Sequence, residues 1–194
     1  MLNQKLKNYN IILASASPRR QEFLRALELD FDIQLKSVEE IYPQQLKHSQ
    51  ISDYLSVLKA RPFLNELKEK DLLITSDTIV WHNNKALGKP IDDQEAYNML
   101  NSLSGKTHEV ITSVCFTSKT KQIVINDTTK VTFKQFTENE ILYYIKNYKP
   151  FDKAGAYGIQ EWIGQIGVTK LEGSYFNVMG FPVHLVYKTL INKF

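Results

Sequence analysis

Residues 10–27, NIILASASPRRQEFLRAL, carry the signal that decides the fold class. An apolar run, Ile11-Ile12-Leu13, passes through small residues into Ser17-Pro18, and a helical pattern follows to about Leu27. Ser17 stands where an N-cap belongs, and Pro18 suits the first helical position, where its missing N–H costs nothing. A buried strand, Asn10–Ser15, therefore feeds directly into a helix. The free N–H groups of that first turn and the helix dipole favour an anion. Arg19 and Arg20 in the same turn run against the usual preference for acids there, a conflict that a bound phosphate would resolve.

Strand and helix signals alternate over the rest of the chain. Phe31–Lys36 alternates apolar and polar residues and predicts a second strand, and Ser52–Leu58 a helix stopped at Arg61-Pro62. Asp71–Trp81 is the strongest buried-strand pattern, and His82-Asn83-Asn84-Lys85 is a hairpin turn leading to Ala86-Leu87. Asp92 with Glu95 has capping-box spacing and opens a helix through Leu103, with Gly105 as the stop. Val110–Thr117 and Ile123–Phe136 predict two strands around a polar turn. Thr137 with Glu140 repeats the capping box before a helix at Ile141–Asn147, and Val183–Ile191 closes the chain as an amphipathic helix. The interleaving lacks strict βαβ regularity, which predicts an α/β fold with a mixed, partly antiparallel twisted sheet flanked by helices.

Composition sets the outer bounds. The chain has 194 residues with 24 Lys+Arg, 21 Asp+Glu and a formal net charge of +3. Hydrophobic residues make up 43%, so a packed core is expected and disorder is not. With no basic run and no aromatic residues interleaved along a basic stripe, nucleic acid is a poor partner. Cys115 is the sole cysteine, which leaves no disulfide framework and no cysteine-based zinc site. Lys5 and Lys7 precede no apolar stretch of signal length and no membrane-spanning run occurs, so a single cytoplasmic domain over residues 1–194 is the expectation.

Four further places carry chemistry. Asp77 interrupts the apolar strand, and a buried carboxylate needs a cation, a metal, backbone donors or a proton-transfer role. Lys89, in Gly88-Lys89-Pro90 beyond the hairpin, and Lys59, on the second helix, are candidate phosphate ligands, although exposed lysines are ordinarily just solvated. Adjacent Glu39 and Glu40 offer hard oxygen ligands for Mg²⁺. Finally, six of the eight glycines fall between Gly155 and Gly180. Within that region, Lys153-Ala154-Gly155-Ala156-Tyr157-Gly158-Ile159-Gln160 combines approachable backbone with an amide, a pairing suited to a nucleobase. Gly173–Pro182 looks like a packing turn.

Together these segments, with Ser76-Asp77-Thr78 and Leu103-Ser104-Gly105-Lys106-Thr107-His108, resemble the Maf family of nucleoside-triphosphate pyrophosphatases, once named as septum-formation inhibitors. The motifs follow family order from residue 11 to about 187. The resemblance implies a two-lobed α/β fold around a central cleft (Maf/ITPase-like), a homodimer, and a divalent metal, Mg²⁺ or Mn²⁺. It implies cleavage between the α- and β-phosphates to give a monophosphate and pyrophosphate. Asp77 matches the proton-accepting aspartate; Ser15, Arg20, Lys59 and Lys89 match substrate-binding positions; Glu40, beside Glu39, matches the metal-associated acid together with Asp77. Arg19, Thr78 and Gln160 agree with the branch acting on dTTP and UTP, and modified pyrimidine nucleotides would fit the same pattern. Two places depart from family habit: Ser76 replaces an alanine, and Glu161-Trp162-Ile163 is bulkier than the small residues usual after the glutamine. The rival expectation is a nucleotide sensor acting on septum formation without catalysis.

Overall fold

A computed structural model describes residues 1–194. The first strand and helix form as expected: β1 covers Asn10–Leu13 and α2 covers Pro18–Ala26, after a short α1 at Leu2–Lys5. β2 is far shorter than the alternation of Phe31–Lys36 suggested, only Asp32–Ile33. Both of its residues are exposed, so no buried face extends the ladder. α3 spans Ser49–Ala60 and gives way to a single 3₁₀ turn at Arg61–Phe63, where Pro62 ends the α-helix.

β3 runs from Asp71 to His82 and returns through Asn83-Asn84 into β4, Lys85–Leu87. Both asparagines take positive φ, at 49° and 59°, as a two-residue hairpin turn requires. α4 covers Asp93–Leu103, β5 Thr107–Thr117, β6 Gln122–Phe133 and α5 Glu138–Tyr148. Asp92 Oδ1 accepts from Glu95 N–H at 2.7 Å, but Glu95 reaches Ile91 N–H and not the Asp92 amide, so only half of that capping box closes. At α5 both halves close between Thr137 and Glu140. The glycine-rich segment holds more regular structure than its composition suggested: α6 at Trp162–Gly167, β7 at Val168–Glu172 and α7 at Tyr175–Val178, before α8 at Val183–Lys193. Gly173–Pro182 is thus not merely a turn; Ser174 caps α7 and Asn177 is fully buried.

Seven strands form one sheet in the order β2-β1-β3-β5-β6-β7, with β4 paired to β3. β1 lies parallel to both β2 and β3, while the β3–β4 and β6–β7 pairs are antiparallel, which makes the sheet mixed. No helix is long and apolar enough to cross a membrane.

The chain divides into two compact units. The first comprises residues 1–77, 112–127 and 180–194. Here β1 and β3 are buried on both faces, as expected of parallel strands covered by helices. Ile11, Leu13, Leu72 and Ile74 pack with Leu24, Phe181, Val186 and Leu190 on one side. The alternate residues Ile12 and Leu73 pack with Ala60, Phe63 and Leu67 on the other. The second unit comprises residues 78–111 and 128–179. Its core joins Leu100 and Leu103 of α4, Ile141 and Tyr144 of α5, and Val131 and Phe133 of β6.

Candidate active site

In the first unit, β1 has β2 on one side and β3 on the other, so the chain reverses direction across the sheet at its carboxyl end. Crevices outside such reversal points are where open α/β sheets bind ligands. The turn from β1 into α2 starts there, with Ala14 N–H still bonded to Ile74 O of β3 at 2.9 Å. Ser15 is buried, and its Oγ accepts from Ser17 N–H at 3.2 Å. Ser17 occupies the N-cap position, as its place before Pro18 predicted, yet its own side chain makes no capping bond. Ser15 stabilises the turn instead.

Strand period places Leu73, Thr75 and Asp77 on the face of β3 covered by α3. Thr75 Oγ1 donates to Ser56 O at 2.7 Å, and Lys59, one helical turn further along α3, donates from Nζ to Asp77 Oδ1 at 2.6 Å. Lys59 also pairs with Glu40 Oε1 at 3.1 Å, so one ammonium joins both carboxylates. From α2, Arg20 NH1 donates to Ser76 O at 2.9 Å and to Ser15 Oγ at 3.5 Å, and its Nε to Gly180 O at 3.0 Å. The structure therefore brings Ser15, Arg20, Glu40, Lys59 and Asp77 together, and it is Glu40, not Glu39, that meets the lysine.

Burial pushes the Asp77 carboxyl above its ordinary range, opposed by the Lys59 ammonium and by Arg20. Arg20 is lowered by its own burial and by neighbouring Arg19, while Asp77 and Glu40 act in the opposite direction. The protein's own acids thus answer part of the repulsion at the start of α2 that the sequence left to a bound anion. No three His, Cys, Asp or Glu side chains gather into an all-protein metal cage. Glu40 and Asp77 nevertheless suit a magnesium-like ion, which takes one or two carboxylates and completes its shell with water and substrate phosphate. Their convergence on the Lys59 ammonium establishes that the two oxygens already face one centre of positive charge.

Ser76, which points to the opposite face of β3 from Asp77, is 1% exposed and its Oγ has no hydrogen-bond partner. An orphaned buried hydroxyl is a stability cost that alanine removes without cutting a bond. Ser76→Ala is expected to raise the unfolding free energy by about 0.5–1 kcal/mol with unchanged kcat. Chemical denaturation checks it, and a loss of stability would mean that the hydroxyl is satisfied.

The second unit holds Thr78, Lys89 and Gln160. Lys89 is exposed and Gln160 half-buried, and neither side chain forms a hydrogen bond or ion pair with the protein, which leaves an ammonium and a carboxamide available to a ligand. Their two loops are tied together, because Gly155 N–H donates to Gly88 O at 2.9 Å. Gly155 has φ +69°, and a Cβ there would stand 2.8 Å from Val80 Cγ2, so this approach depends on glycine. Tyr157 Oη meets His108 Nε2 at 2.7 Å, and burial holds that imidazole neutral by lowering its pKa to about 3.

The family model described as "Maf-like protein" matches residues 10–193. The chain belongs to this family. This Maf-like chain is 61% identical over 190 residues to a Flavobacterium johnsoniae protein named dTTP/UTP pyrophosphatase, covering 98% of each. It is also 61% identical to a Christiangramia forsetii protein of the same name, covering 98% of this chain and 97% of that one. Among solved structures it matches the Staphylococcus aureus Ham1 protein at 13% identity and a TM-score of 0.45, over 81% of this chain and 90% of that one. In this Maf-like chain Tyr144, Lys153 and Glu161 support the glycine-rich loop, a role that the sequence pattern of these residues did not reveal. Only a lysine just before the loop and an acid just after it hinted at an ion pair spanning it.

Proposed function

We propose that this chain is a nucleoside-triphosphate pyrophosphatase that hydrolyses dTTP and UTP to the monophosphate and pyrophosphate. The observation that carries the reading is the buried Asp77, fixed through Oδ1 by Lys59 and sharing that lysine with Glu40, beside the β1–α2 turn. The names borne by relatives of 61% identity agree with it.

Asp77 is the proton acceptor. Lys59 is its hydrogen-bond donor within the protein and occupies Oδ1, which leaves Oδ2 for the reacting water. Asp77 orients a water molecule and accepts its proton as the oxygen attacks the α-phosphorus. The new bond joins that oxygen to the α-phosphorus, and the bond to the α–β bridging oxygen breaks, so pyrophosphate departs with the electron pair. Lys59, Lys89 and Arg20 compensate the charge on the phosphates and on the leaving group, and Ser15 with the first-turn amides of α2 adds fixed donors. Glu40 and Asp77 would hold the divalent ion, whose chemistry when bound is Lewis-acid polarisation of phosphate oxygens. Arg19, Thr78 and Gln160 are assigned to selecting the pyrimidine.

The test is pyrophosphate release from the common and several modified triphosphates, with Mg²⁺, with Mn²⁺ and with a chelator. Release from dTTP and UTP that stops on chelation is expected. Tight nucleotide binding without release would favour a sensor, and release from purine triphosphates alone would overturn the substrate assignment.

A further inference from the structure

Gln160 sits in a loop whose backbone is held from several directions while its carboxamide stays without a partner in the protein. Gln165 Nε2 donates to Gln160 O at 3.1 Å, and Glu161 N–H closes a turn onto Gly158 O at 3.0 Å. Gly158 N–H in turn donates to the hydroxyl of Tyr144, at 3.1 Å. That hydroxyl donates to Glu161 Oε2, and Glu161 Oε1 lies 3.1 Å from Lys153 Nζ. Lys153 is 8% exposed and pairs also with Asp152 Oδ1 at 2.6 Å. The clamp packs so closely that a Cβ on Gly158 would stand 2.9 Å from Glu161 Cδ and 3.1 Å from Lys153 Cε. A Cβ on Gly164 would meet Ile159 O at 2.0 Å, so α6 lies directly against the Ile159 peptide of the loop.

Closing a short loop with a buried ammonium and a half-buried carboxylate is costly compared with an apolar closure. What the charged pair adds is direction: each donor fixes one peptide or side chain on either side of Gln160, in a chain from Lys153 to Glu161 to Tyr144 to Gly158. Burial raises the Tyr144 phenol well above its usual range, so it stays protonated and keeps donating to Glu161.

We propose that Glu161, held by Lys153 and linked through Tyr144 to the Gly158 peptide, is a positioning residue that sets pyrimidine selectivity by holding the Gln160 carboxamide in its reading position. The proposal rests on the pyrophosphatase reading of the site. In that reading Glu161 never touches substrate and acts through Gln160, so its loss weakens base recognition and not the chemical step.

The experiment compares Glu161→Gln, Tyr144→Phe and the double variant, each as the full chain, in steady-state pyrophosphate release from dTTP, UTP and CTP. Each single variant is expected to raise KM for dTTP and UTP about ten-fold, with kcat within about two-fold of wild type and a correspondingly narrowed preference over CTP. The double variant should be no worse than either single one, because both cut the same chain of bonds. Unchanged KM and selectivity in variants that unfold at the wild-type temperature would overturn the proposal. So would a fall in kcat at constant KM, or two fully additive effects. Wild-type protein that releases no pyrophosphate from dTTP or UTP would instead overturn the reading beneath it, so the two failures are told apart by the control.

Discussion

Asp77→Asn is expected to lower kcat for pyrophosphate release from dTTP and UTP by about 10²–10⁴-fold, the usual contribution of a positioned general base. The asparagine amide has nearly the same shape and still offers Lys59 an oxygen, so the fold and the α3–β3 contact survive. What disappears is the capacity to take a proton. Nucleotide binding should change far less than turnover, because the cations that the proposed reading assigns to the phosphates are untouched by the substitution. Single-turnover measurements at saturating nucleotide check this directly. Near-normal turnover in a folded Asp77→Asn protein would remove Asp77 from the proton-accepting role.

Lys59→Met should produce the second large effect, and it carries a definite sign in pH. In the native protein burial raises the Asp77 carboxyl and Lys59 opposes that rise. Without the ammonium, burial acts with less opposition and Asp77 moves further up. Proton acceptance requires the ionised carboxylate, so the acidic limb of the kcat/KM profile should move to higher pH than in wild type. Stability follows the same linkage. An acid whose folded pKa lies above its unfolded value contributes stability that is present below the unfolded pKa and is lost as pH rises through the folded one. The variant should therefore lose about 3 kcal/mol at alkaline pH, where Asp77 is a buried charge with no ammonium beside it, and recover part of that on acidification. Thermal unfolding across pH, alongside the rate profile, tests both halves. An acidic limb that stays in place would show that Lys59 does not tune Asp77.

These two residues show where local pattern stops being informative. Asp77 stands out in the sequence because it breaks an apolar run, and a charge inside a buried strand demands an explanation on desolvation grounds alone. Lys59 carries no such mark. It is one lysine on an amphipathic helix, and its role depends on α3 lying across β3 so that Ser56 meets Thr75 and Lys59 meets Asp77. The adjacent pair Glu39-Glu40 behaves alike: both are plausible ligands by type, and only the path of the loop directs Glu40 to the lysine. The same division runs through the secondary structure. The Asn83-Asn84 hairpin, the Pro18 start of α2 and the closed capping box of α5 rest on contacts within a few residues, and each forms where expected. β2 shrinks to two residues and α6 arises between glycines because neighbours distant in sequence, not local propensity, settle those segments.

The sequence by itself determined the mixed α/β class, the strand-to-helix turn at Ser17-Pro18, the isolated carboxylate at Asp77 and the motifs that mark a Maf-like chain. These are written in local periodicity, turn chemistry and the cost of burying charge, all of which act over a few residues. Only the tertiary structure decided that Lys59 joins Glu40 to Asp77, that Arg20 anchors the β1–α2 turn to Ser76, and that Glu161 closes a clamp on the Gln160 loop. Each of those pairings spans residues whose meeting depends on packed elements. An ion pair in a low-dielectric interior is decided by a few ångströms, a scale that sequence spacing alone does not resolve.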